Sequence, residues 1–168
     1  MNMKFSIDEL LHQAIYANQA GKLKEAELIY KDILQAQPNN HDANHNLGAL
    51  YVSLNKLEIS LVFFKRATQL KPNIEKFWIS YIDILINTRQ FKNAQQALKK
   101  AKRKGVTKNK LNTLNQSLIS EVNRPTLPQS RLNILIEYCR NGSYAAAEKL
   151  ALSITQEFPN HPLAWKAL

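Results

Sequence analysis

Pro38 and Pro72 stand 34 residues apart, and the residues before each run in one register: Ala26 and Tyr30 in the first stretch, Ser60, Phe64 and Ala67 in the second. Trp78 and Trp165 are 87 residues apart, the same offset that separates Pro72 from Pro159, so a later copy shares the frame. Small, aromatic and proline positions recurring near every 34 residues predict stacked helical hairpins, each too small to bury its apolar face alone. The expected fold class is therefore all-α, a right-handed superhelix of antiparallel helical hairpins, with Trp78 and Trp165 packed between neighbouring helices.

The copies are not equal. The first covers about Ile7 to Asn40, with Leu10, Ala14, Ala17, Ala26, Ile29, Tyr30 and Ile33 facing inward. The second, His41 to Ile74, places Gly48 inside a helix, where it costs about 1 kcal/mol relative to Ala; close approach of a neighbouring helix would explain it. The third begins at Glu75 and lacks its closing proline, with Val106 in that place. A helix over about Lys108 to Val122 breaks the period, and Asn123–Pro128 reads as a linker. The expected organisation is three repeats over 1–106, an extra helix and linker over 107–127, and a fourth repeat with the start of a fifth over 128–168. A half-built last hairpin suggests a piece of a longer protein.

Composition narrows the function classes. No apolar run approaches the roughly 20 residues that cross a bilayer, and Asp8 and Glu9 interrupt the N-terminus before a secretory leader could form. Cys139 is the one cysteine, so no internal disulfide is possible and a reduced, cytoplasmic setting is expected. The net charge of +10 is concentrated: Ile84 to Ser120 holds nine basic residues and no acidic one. Lys99, Lys100, Lys102, Arg103, Lys104, Lys108 and Lys110 form the dense part. Such a patch attracts anionic partners, but Ala97, Leu98 and Ala101 alternate with it as a packed face would, and no aromatic interleaves to stack bases. A solvated helix face is the leading account, with an acidic partner, a membrane surface or nucleic acid behind it.

The motif Leu47, Gly48, Tyr51, Ser60, Phe64, Ala67 and Pro72 resembles the tetratricopeptide repeat family, as do Ala26, Tyr30 and Pro38, then Trp78, Ala94 and Ala101, then Tyr138, Gly142, Ala147 and Pro159. The stretches Asp42–Gly48, Trp78–Asp83 and Phe158–Pro162 are similar to N-terminal repeats of bacterial multidomain transferases, which precede an O-linked N-acetylglucosaminyltransferase-like or a sulfotransferase domain. The resemblance implies a concave groove lined by first helices, with His12, His45, Asn46, Ile79, Ser80, Asp83, Asn133, Ile136 and Arg140 facing it. Within that set His12, Asn46, Ser80 and Asn133 occupy one repeating position, each able to hydrogen-bond a peptide backbone. The expected function is a protein-interaction scaffold holding an extended peptide or partner protein. The alternatives are the substrate-recognition region of a larger glycosyl- or sulfotransferase, and a nucleic-acid or acidic-partner binder.

Chemistry within the chain is not expected. His41 and His45 are one helical turn apart, but two ligands without a third make a weak metal signal. Tyr138-Cys139-Arg140 matches no nucleophile motif, and no glycine is left over for a phosphate-cradling loop. No cofactor and no metal are predicted.

Overall fold

The computed structural model describes residues 5–124, 127–159 and 162–168. Its helices are α1 (Ile7–Gln19), α2 (Leu23–Ala36), α3 (His41–Ser53), α4 (Leu57–Leu70), α5 (Glu75–Asn87), α6 (Phe91–Arg103), α7 (Lys108–Val122), α8 (Gln129–Arg140), α9 (Tyr144–Glu157) and α10 (Pro162–Lys166). No strand occurs among the described residues. The chain divides into two compact units, one ending at Val122 and the other beginning at Asn123. Two residues of the expected linker, Pro125 and Thr126, lie outside the described residues.

Short connections fold α1 on α2, α3 on α4 and α5 on α6, and the same device closes each hairpin. Gly21, Asn55 and Arg89, spaced by the 34-residue period, all adopt positive φ, at 74°, 56° and 57°. The next N–H then reaches five residues back: Lys22 to the Ala17 carbonyl at 2.9 Å, Lys56 to Tyr51 at 2.8 Å and Gln90 to Leu85 at 2.8 Å. This left-handed C-terminal motif satisfies carbonyls that the helix end would leave unpaired. Glycine takes the conformation without strain, and Asn tolerates it. Arg89 pays a steric cost.

In the first unit, Ala14, Ala17, Ala26, Tyr30, Ile33, Ala43, Leu47, Leu50 and Tyr51 form one core, and Phe64, Trp78, Ile82, Leu85, Ala94 and Ala101 belong to another. Small residues at Ala17, Ala26 and Ala43 let the helices approach closely. Gly48 does so most plainly: a Cβ built there would stand 3.0 Å from the buried Phe64 ring on α4. The α7 helix adds Leu111, Leu114 and Leu118 to the second core. It is tied to α5 through Glu75, which accepts from the Thr107 N–H at 3.1 Å and pairs with Lys110 at 2.8 Å.

The second unit has its own core of Leu135, Ala147, Ala151, Ile154 and Ala164. Arg131 on α8 reaches α9, bonding Glu157 at 2.7 Å and the Ser153 hydroxyl at 3.0 Å. One expectation fails here. Trp165 is 57% exposed, whereas Trp78 is 6% exposed. Trp78 shares its core with Leu61 of α4 and Ala97 of α6, and Trp165 has no such enclosure among the described residues.

Candidate functional site

The first helices of the hairpins, α1, α3 and α5, carry most of the candidate residues, and α3 and α5 are joined directly. His45 on α3 stands 3.0 Å through Nε2 from the Ser80 hydroxyl on α5. The Ser80 hydroxyl also reaches the Lys76 carbonyl at 3.1 Å, and the His45 tautomer decides which of the two groups donates in the His45–Ser80 bond. Nδ1 lies 3.4 Å from the Asn46 carboxamide oxygen, which can accept from a protonated Nδ1. The ring sits against Phe64 and Phe77, with centroid distances of 5.4 and 4.9 Å. Burial between these rings pushes His45 below its ordinary pKa.

A second bridge runs parallel. Lys76 donates to Asp42 at 3.1 Å, and its ammonium also lies 5.2 Å from the Phe77 ring centroid. The Asp42–Lys76 partners, 34 residues apart, occupy equivalent positions of successive hairpins, and the His45–Ser80 partners, 35 apart, are offset from that register by one residue. The sequence singled out His45 and Ser80 as separate ligand contacts. The structure spends them partly on each other.

Asn46 is half-buried and lies near Tyr30. The Tyr30 hydroxyl is fully buried and makes no hydrogen bond among the described residues. Burial pushes its pKa up to about 12, a shift that the nearby Asn46 amide partly offsets. On α5, Ile79 packs half-buried against the core. Asp83 is exposed as a residue, yet desolvation of its carboxyl raises its pKa. Asn87 donates weakly to it at 3.4 Å. His12 on α1 is exposed and donates from Nδ1 to the Asp8 carbonyl at 2.8 Å.

Asn133, Ile136 and Arg140 lie on α8, in the second unit. Asn133 accepts from Gln129 at 3.0 Å. Ile136, Cys139 and Arg140 line a cavity of about 300 Å³ closed on its other side by Leu163 and Lys166 of α10. Cys139 is exposed, and no cluster of three or more His, Cys, Asp or Glu occurs among the described residues.

The basic run divides by position. Lys110 is paired with Glu75. Lys99, Lys102, Arg103 and Lys108 are exposed. Lys100 and Lys104 face a cleft that they share with Lys65 of α4. Sequence reasoning missed Lys65, which lies outside the dense basic run; Lys65 and Lys100 sit on successive second helices, 35 residues apart, one residue more than the repeat period.

Residues 41–74 match the family model for the tetratricopeptide repeat. No curated protein matches the sequence significantly. Solved structures do resemble the fold. The tetratricopeptide repeat domain of P58(IPK) aligns over 89% of this chain at 15% identity and a TM-score of 0.60, and the chain spans 41% of that protein. The TPR2B domain of yeast Sti1, solved as a complex with pHsp70, aligns over 71% of this chain and 98% of its own length at 15% identity and a TM-score of 0.60. The O-GlcNAc transferase of Thermobaculum terrenum aligns over 90% of this chain but 26% of its own length, at 20% identity and a TM-score of 0.56. The chain thus carries the tetratricopeptide repeat fold, and His41–Ile74 is one such repeat. Among the described residues, no helix is long and apolar enough to cross a membrane.

Proposed function

We propose that the chain is a protein-interaction module of three repeats, an extra helix and a fourth repeat, and that α1, α3 and α5 hold an extended peptide. The observation that carries this reading is the bridge from His45 to Ser80. It fixes α3 beside α5 and presents Asn46 and Asp83 from a shared, rigid face. Asn46 offers both a donor and an acceptor to a peptide group, Ile79 offers apolar contact, and His12 extends the polar face on α1. Backbone hydrogen bonds give affinity with little sequence preference, so a broad client range follows. The solved Sti1 complex supports the reading by fold. On α8, Asn133, Ile136 and Arg140 supply a further contact surface, and the lone Cys139 suits a reduced, cytoplasmic setting.

The test compares proteins captured from a lysate by wild-type chain and by Asn46→Ala and Asp83→Ala variants, each shown to melt as the wild type does. Each lost hydrogen bond is expected to weaken capture by a factor of about 2 to 12. Identical clients in identical amounts would remove this face from consideration.

A second reading is favoured by one finding, the alignment of 90% of the chain with a transferase. In it the repeats select the protein substrate of a bacterial glycosyl- or sulfotransferase, and the chemistry belongs to another domain of the parent protein. Sequencing the parent gene decides it: a transferase domain encoded in frame supports the reading, and repeats alone reject it.

A further inference from the structure

Away from the face just described, α4, α5 and α6 enclose a cleft of about 410 Å³, within the range of small-molecule sites. Its floor is formed by Trp78, Tyr81 and Ala97. The indole N–H is already committed to the Pro72 carbonyl at 2.8 Å, so the Trp78 edge contributes apolar surface rather than a donor. Three lysines line the cleft around this floor: Lys65 from α4, Lys100 from α6, and Lys104, the residue that caps the C-terminus of α6.

No carboxylate lines the cleft. Outside the cleft, Lys22, Lys31, Lys76 and Lys110 pair with carboxylates. None of the three cleft lysines pairs with a carboxylate among the described residues. Cations at the end of α6 also complement its C-terminal dipole. That accounts for Lys102 and Arg103, but Lys65 lies in the body of α4 and gains nothing from it. Like charges that line one cleft without a counter-charge repel one another, and a multiply charged anion relieves that repulsion best.

The kind of cation selects the kind of anion. Arginine forks match planar carboxylates, whereas ammonium groups are point charges that suit a tetrahedral phosphoryl group. No arginine lines the cleft. The Gln69 and Gln96 carboxamides and the Tyr81 hydroxyl, which make no hydrogen bond among the described residues, supply neutral donors beside the ammoniums. We propose that this cleft binds a small phosphate ester, its phosphoryl oxygens among Lys65, Lys100 and Lys104 and its remaining body against the Trp78–Ala97 floor. The site is independent of the peptide-binding face and does not require it.

The test is calorimetric titration of the whole chain with adenosine triphosphate and with inorganic triphosphate at near-physiological salt. Saturable binding of one ligand per chain is expected. Lys65→Glu, Lys100→Glu and Lys104→Glu should each weaken it about three- to tenfold, above the fewfold worth of a single exposed pair because reversal adds repulsion. Lys102→Glu makes the same change of net charge outside the cleft and should leave affinity within about twofold. Lys104→Gln, which removes charge without adding repulsion, should fall between. Equal losses at Lys102 and Lys104 would overturn the proposal in favour of diffuse attraction, as would the absence of saturable binding. A hexaglutamate peptide or a short single-stranded RNA binding more tightly than either phosphate would also overturn it, assigning the cleft to an acidic protein or to nucleic acid.

Discussion

The indole N–H of Trp78 donates to the carbonyl oxygen of Pro72 at 2.8 Å, across the turn that joins α4 to α5. The same bond recurs from Trp165 to Pro159 at 2.7 Å, and the Asn44 amide makes its counterpart to Pro38 at 3.3 Å. Three side chains thus tie the fourth residue of a first helix to the proline that ended the previous one. Each bond fixes the angle at which one hairpin follows another.

Trp78→Phe should separate that bond from the packing of the ring. Losing the hydrogen bond is expected to cost about 0.5–1.5 kcal/mol, and Trp78→Ala about 3–5 kcal/mol because the ring is buried. Urea denaturation of both variants checks this, and a Trp78→Phe variant as stable as the wild type would show that the bond contributes nothing.

Gly48→Ala should destabilise the chain despite the better helix propensity of alanine. The propensity gain is about 1 kcal/mol, while forcing a methyl against the Phe64 ring costs about 1–3 kcal/mol. Phe64→Leu in the Gly48→Ala background should show less than the sum of the two single losses. Strict additivity in a thermal melt would argue against a shared contact.

Arg89→Gly should raise stability by about 0.5–1 kcal/mol, because Arg89 holds a left-handed backbone that glycine adopts freely. The same change at Asn55 should gain less, since asparagine tolerates that region. A lower melting temperature for Arg89→Gly would contradict the account.

His45 gives the stability a pH dependence of known sign. Its folded pKa lies below the unfolded value of about 6.5. The unfolded chain therefore takes the proton first, so this contribution is intact above about pH 6.5 and is lost as pH falls towards the folded pKa. The groups facing the ring are Asn46, Asp42 and Lys76. Asp42 moderates the shift and Lys76 deepens it. Urea midpoints measured from about pH 7.5 to pH 5 for the wild type and His45→Gln check it: the variant should lose less stability on acidification. Parallel curves would place the pH dependence elsewhere.

Much of this fold was legible because the 34-residue period is written in residues with one physical use each. Tyr30, Phe64 and Ala67 are buried as their register demands, and Lys108–Val122 forms the helix expected to break the period. Arg89 was not legible as a left-handed turn, because its identity argues against that backbone and only its offset from Gly21 and Asn55 reveals it. Trp165 shows the converse: its register and its proline bond match those of Trp78, but burial depends on which helices lie over the ring. At the candidate site the residues could be named, but not their mutual bonds. His45–Ser80 and Asp42–Lys76 join hairpins, and a linear reading treats such partners as independent ligands. Lys65 was hidden for the same reason.

The α7 helix carries a consequence for how such an array can grow. It packs its leucines on α5 and α6 as a next first helix would, but Asn112, Asn115, Gln116 and Ser120 stand exposed along it, beside the exposed Ile119 and Val122 near its end. It therefore behaves as a lid on a stack of coins, giving the last apolar face a water-compatible surface. Duplicating a hairpin upstream of Lys108 would lengthen the stack and keep its lid. Inserting one after Val122 would set it against a helix whose outer side is mostly polar, so the first unit is expected to lengthen more readily from the inside.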